Sequence, residues 1–342
     1  MGGTALKEKY GFVGQRLNQE EYLRVCNELE SCDFWNRSHM AVIPCYSQKQ
    51  DHGDIDAVIT IQQQSPETHG HIVDRIKTLF HSQYVVKNSN VYSFEYENKY
   101  QIDLAVCPRH TETLNYFNFC SYSPFGNGVG RILKQTGLKF GLDGLTYPVK
   151  LTDSEVLGEI SIYVNDSPDK NFYKMLEFFG SDRNYHNFQT QEEIFDFLTG
   201  SRFFNRDIFL YENLNHINRK RDSKRADYHN LLEFIKDKPN KFYGDPDKTV
   251  YISEIERHFD VDIIGQWETL LGKFLVKREK SKRFSGEDVS RITGKVGKDL
   301  GEIMKNFRTS FNYDQYLLTH SSEEVEKYFI QWHEKWVANP TS

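Results

Sequence analysis

GDIDAVIT, Gly53 to Thr60, is the stretch on which the chain turns. Side chains alternate faces along a β-strand, so Asp54 and Asp56 project to the same side. Gly53 lets the chain turn tightly and lets a phosphate approach backbone N–H groups. QIDLAV, Gln101 to Val106, answers it by placing Asp103 in a second strand-like run that fits beside the first. Three carboxylates on two neighbouring strands form an oxygen-rich site suited to Mg²⁺. Two such ions about 3.5–4 Å apart can clamp the attacking and leaving oxygens of an in-line phosphoryl displacement. A DxD pair alone is cheap in a chain with 49 acidic residues. These acids differ because they border apolar runs (Ala57, Val58, Ile59; Leu104, Ala105, Val106), where a carboxylate needs a partner such as a cation.

Four segments in order extend the pattern. AVIPCYSQKQDHGDIDAVIT (Ala41 to Thr60) is a strand, a serine-containing turn and GD-x-D. YQIDLAVCP (Tyr100 to Pro108) carries the third acid. YFNFCSYSPFGNGVGRILKQTGLKFG (Tyr116 to Gly141) is an aromatic segment leading into a helix and a glycine turn. FQTQEEIFDFLTGSRFFNRD (Phe188 to Asp207) holds an acidic helix. In this order, from about Arg37 to Asp207, the chain resembles the DNA polymerase beta-type nucleotidyltransferase superfamily, its palm and thumb most like those of the family X polymerases. The resemblance implies an α+β palm, a mixed sheet with helices on one face, followed by a mainly helical C-terminal domain. It also implies catalysis with two Mg²⁺ ions, or Mn²⁺ in their place, held by Asp54, Asp56 and Asp103. Candidate triphosphate contacts are Ser47, Lys49, Gly53 and Arg131, with Ser121 near the incoming sugar. The turn before GD-x-D is shorter than the family's and lacks its Gly-Ser. The roughly 35 residues ahead of the palm are too few for the family X DNA-binding and lyase module, which argues against gap repair.

The expected layout is an N-terminal helical segment (1–36), the palm (37–150), a thumb-like segment (151–210) and the C-terminal domain (211–342). Asn18 to Cys32 reads as a helix with Asn18 as N-cap. The spacing predicts strands at Met40–Cys45, Ile55–Ile61, Tyr84–Val86, Val91–Tyr96 and Tyr100–Cys107, with a helix from His71 to Phe80. Ser65 to Gly70 reads as a loop with solvated His69 and His71. Gly126, Gly128 and Gly130 in the helix from Asn127 to Thr136 allow close packing on the sheet or backbone approach to a nucleotide. Thr190 with Glu193 forms a capping box for the next helix.

Net charge is −6, which gives no global pull toward nucleic acid, so any such binding must be local. Tyr211 to Ser310 holds 21 Lys and Arg against 17 Asp and Glu, placing the basic side in the C-terminal half. NRKRDSKR, Asn218 to Arg225, offers Arg219, Lys220, Arg221, Lys224 and Arg225 as phosphate contacts along an acceptor. KFLVKREKSKR, Lys273 to Arg283, is a second basic stretch. Phe284 to Phe307 weakly resembles a helix-turn-helix segment of CCA-adding tRNA nucleotidyltransferases, and tight helix packing through Gly294, Gly297 and Gly301 also explains its glycines. Five cysteines without C-x-x-C spacing read as reduced thiols, not a disulfide frame or zinc site. No signal-peptide core or 18-residue apolar run appears, and Leu6 spoils a myristoylation motif at Gly2. A cytoplasmic, nuclear or virus-associated setting without membrane contact is expected.

The leading expectation is untemplated transfer of a nucleoside monophosphate from an NTP to an RNA 3′ end, with DNA less favoured. The alternatives are nucleotidylation (AMPylation) of a protein or small molecule, and an inactive nucleic-acid-binding module.

Overall fold

The computed structural model describes residues 5–35, 38–62, 65–152, 155–163 and 168–338. Gly2 and the expected 36/37 boundary lie outside them. The chain forms two compact units, the first comprising Met1–Pro148 and Glu159–Ile263, the second Val149–Gly158 and Ile264–Ser342.

The first unit is built on a five-stranded mixed sheet. Its spatial order is Ala41–Val42, Ile55–Thr60, Tyr100–Cys107, Val91–Tyr96, Val85–Asn88. Only the pair Ile55–Thr60 and Tyr100–Cys107 runs parallel among the paired strands of this sheet. Alternation then sorts the side chains. Ile55, Ala57, Ile59, Ile102, Leu104 and Val106 enter a core shared with Tyr22, Val25 and Leu29 of helix Gln19–Ser31 and with Ile72 and Ile76 of helix Pro66–Phe80. Val58, Ala105 and Cys107 face the other way, toward Tyr116 and Phe117 of helix His110–Cys120. The expectation of helices on one face is therefore corrected: helices cover both, and Asp56 and Asp103 lie on the face covered by helix His110–Cys120.

Local signals explain most boundaries. Asn18 caps its helix with a capping box to Glu21, and Thr190 caps helix Gln191–Gly200 by accepting from the Glu193 N–H. The expected strand at Met40–Cys45 shrinks to Ala41–Val42. The expected loop at Ser65–Gly70 is a helical turn instead, with Ser65 as N-cap and Pro66 in the first turn. His69 is not left to solvent, because its Nδ1 lies 2.5 Å from the Tyr92 hydroxyl.

Helix Phe125–Leu133 shows why its glycines are there. A Cβ at Gly126 would sit 1.9 Å from the Phe119 carbonyl oxygen, and one at Gly128 would sit 2.5 Å from Leu198. Close packing alone accounts for them. The opposite holds at Gly294, Gly297 and Gly301, where a Cβ would meet nothing within 4 Å. Gly294 and Gly297 instead supply positive φ, 69° and 60°, around the turn between helices Gly286–Thr293 and Gly297–Thr309. The expected glycine packing there is corrected to turn formation at Gly294 and Gly297, while Gly301 lies within the second helix beside open space.

The second unit is mainly helical, with a core of Phe284, Val289, Ile303, Phe307, Leu317, Val325 and Phe329. All five cysteines are free thiols. No helix among the described residues is long and apolar enough to cross a membrane.

Candidate active site

The parallel pairing sets Asp56 directly opposite Asp103. Asp54 lies just ahead of the first of these strands, near enough for its charge to raise the pKa of both Asp56 and Asp103. The covering helix ties down the far end of this face, where the Thr60 and Thr113 hydroxyls meet at 2.7 Å. At the near end it sets Tyr116 and Cys120 close enough for the Asp56 charge to raise both their pKa values, burial being the larger cause.

The acids are poorly satisfied. Asp103 is 3 % exposed, its Oδ1 accepts from Gln101 Nε2 at 2.9 Å, and its Oδ2 is buried with no hydrogen-bond partner. Burial raises its pKa and Asp54 adds to this, while Ser93, its cross-strand neighbour, and Gln101 moderate the rise. Burial, reinforced by Asp54 and Asp103, pushes Asp56 up to about 7. Like charges held this close resist joint ionisation unless a cation joins them. An all-carboxylate donor set with one orphaned oxygen fits a hard divalent cation such as Mg²⁺. Among the described residues no three His, Cys, Asp or Glu side chains already close into a metal-binding group.

The turn ahead of the acids is well anchored. The Lys49 N–H donates to the Tyr46 carbonyl at 3.1 Å, and the backbone N–H groups of Ser47 and Gln48 donate to Phe188 and Gln189. His52, 1 % exposed, stacks on Tyr22 at 3.7 Å and lies within hydrogen-bond distance of Gln19 Oε1 and the Lys49 carbonyl. Burial and then Lys49 pull His52 down to about 4, so it is neutral at physiological pH. Ser47 is exposed and Lys49 half-buried on this turn. Gly53 is exposed, and a Cβ there would meet the Arg16 guanidinium at 3.2 Å. Arg16 pairs with Asp51 at 2.6 Å and feels the charge of Asp54 as well. Sequence reasoning missed Arg16 because it belongs to an N-terminal segment far from the motif. It missed His52 because nothing local shows its stacking partner.

Two candidates are occupied elsewhere. Ser121 is fully buried, and its hydroxyl donates to the Phe117 carbonyl at 2.7 Å. Arg131 donates to Asp222 Oδ2 and to the Tyr228 hydroxyl, each at 2.5 Å, and lies over the Phe209 and Tyr228 rings.

The first basic run is divided. Arg219 donates to the carbonyls of Tyr211 and Leu214, and Arg221 pairs with buried Asp222 at 2.7 Å. Arg225 is half-buried beside Arg131 and Arg221 in a small cleft. Lys220 and Lys224 are exposed. The structure thus brings Asp54, Asp56 and Asp103 to one end of the sheet, with Gly53 and Arg16 beside them. It gathers Arg131, Arg221 and Arg225 into the separate cleft around Asp222. No family model matches the chain, and no curated protein matches it.

Proposed function

We propose that this chain is a Mg²⁺-dependent nucleotidyltransferase that moves a nucleoside monophosphate from an NTP to the 3′ hydroxyl of a nucleic acid, without a template. The observation that carries the reading is the register of Asp56 against Asp103, with the Asp54 charge near both and the Asp103 Oδ2 buried without a partner.

When bound, two Mg²⁺ ions would supply charge neutralisation at the phosphates and acidity at the acceptor hydroxyl. Asp54 and Asp56 would hold both. Asp103, whose Oδ1 is steadied by Gln101, would help hold the ion at the acceptor hydroxyl and take its proton. Arg16 and Lys49, flanking the acids, offset the triphosphate's negative charge, and the Ser47 hydroxyl offers a hydrogen bond. Catalysis on this reading is positioning plus electrostatic stabilisation. In the first basic run, the exposure of Lys220 and Lys224 supports their contact with an acceptor backbone.

The test is to incubate the protein with each labelled NTP or dNTP, Mg²⁺ or Mn²⁺, and RNA, DNA or bulk protein. Label at an RNA 3′ end is expected. Label confined to protein or a small molecule would replace the acceptor. Absence of label with every acceptor, together with absence of Mg²⁺-dependent NTP binding, would overturn the enzyme reading.

A further inference from the structure

In the second unit the long helix Ile263–Arg283 and the segment Arg308–Leu317 flank a groove of about 730 Å³. One wall carries Lys273, Lys277 and Lys280 at i, i+4 and i+7, one face of the helix, spanning about 10 Å along its axis. Arg308 stands on the opposite wall, and Asp314 is the one acid among the groove-lining residues, paired with Lys280 at 2.7 Å. The excess is therefore three positive charges in one concavity. The interior is aromatic and apolar: Phe284 and Leu317 are buried, while the Phe311 ring is only half-buried. The walls are held in place by Arg283, whose guanidinium donates to the carbonyls of Leu317, Leu318 and His320.

A row of flexible cations beside an accessible ring is what an extended phosphodiester chain with unstacked bases requires. A duplex offers phosphates but hides its base faces. An acidic peptide offers charge but no ring to stack. We propose that this groove binds a single-stranded nucleic acid, with Lys273, Lys277 and Arg308 on consecutive phosphates and Phe311 against a base. Its role as the seat of the acceptor strand rests on the transfer reading, but the binding itself does not.

The experiment measures anisotropy of a fluorescent single-stranded RNA on the full chain, without NTP or divalent ion, across a salt series. The triple variant Lys273→Gln/Lys277→Gln/Arg308→Gln should bind at least tenfold more weakly at low salt. Its salt slope should be shallower by about 2, at roughly 0.7 for each phosphate no longer neutralised. Phe311→Leu, with a cooperative melt as the folding control, should weaken binding several-fold at unchanged slope. Asp56→Asn should bind as the parent does, so loss of transfer and loss of binding are told apart. Unchanged affinity in the triple variant, or equal affinity for a blunt duplex or for polyglutamate, would overturn the proposal.

Discussion

Asp103 and Asp222 are buried to the same degree, 3 % and 2 % exposed, yet differ in how they are served. Burial works to raise the pKa of Asp222, but hydrogen bonds from Arg221 and Arg131 outweigh it and hold the carboxyl below its usual range. Asp103 has a neutral amide on one oxygen, nothing on the other, and two more acids for company. A buried acid with its cations supplied is finished architecture. One without them stays raised in pKa, and that asymmetry marks the candidate site better than burial or charge alone.

The largest expected effect is on chemistry. Asp56→Ala should leave no measurable nucleotidyl transfer while the melting temperature in chelator stays level or rises, since a self-repelling cluster loses a member. Retained activity would end the comparison on the functional side. Asp222→Ala should do the reverse, lowering stability by about 3–5 kcal/mol in a denaturant titration because Arg131 is left buried without its counter-charge. A loss below about 1 kcal/mol would show that the pair is only decorative.

The two sites should also impose opposite pH slopes. Asp56 has a folded pKa above its unfolded value, so in chelator its contribution is intact below about 4 and lost as pH rises toward 7. Coupling among the acids and partial solvent contact hold the size to on the order of 2 kcal/mol. Asp222 has a depressed pKa, so its contribution is present above about 4 and lost as pH falls through the folded value. Melts of Asp56→Asn and Asp222→Asn across pH should each flatten their own limb. The smallest effect belongs to the outer partner: Arg221→Ala, on a side chain 36 % exposed, should cost about 1 kcal/mol by thermal melt, well under Arg131→Ala.

Much of this was legible locally. The period of two in GDIDAVIT and QIDLAV gave the strands and the common face of Asp56 and Asp103, and Asn18 and Thr190 announced their helices. Ser65-Pro66 also carried a start signal, but the polar residues after it read as loop. What escaped depends on distance along the chain. Arg131 reads as a free cation until Asp222, 91 positions on, is folded against it. The basic run at 218–225 cannot show from composition that Arg219 is bonded to the Tyr211 and Leu214 carbonyls and Arg221 to Asp222. Glycines at 126 and 294 look alike in sequence, and only the surroundings separate a close approach from a positive φ.

The strand Tyr100–Cys107 is buried at every one of its eight residues and bonded on both sides, whereas Asp54 precedes its own strand. Amides around Asp103 should therefore be among the last to trade their hydrogens for deuterium, later than those of Gly53 and Asp54, which lie outside the paired strands. The three acids thus rest on unequal backbone support: Asp56 and Asp103 lie within paired strands, and Asp54 lies just outside them.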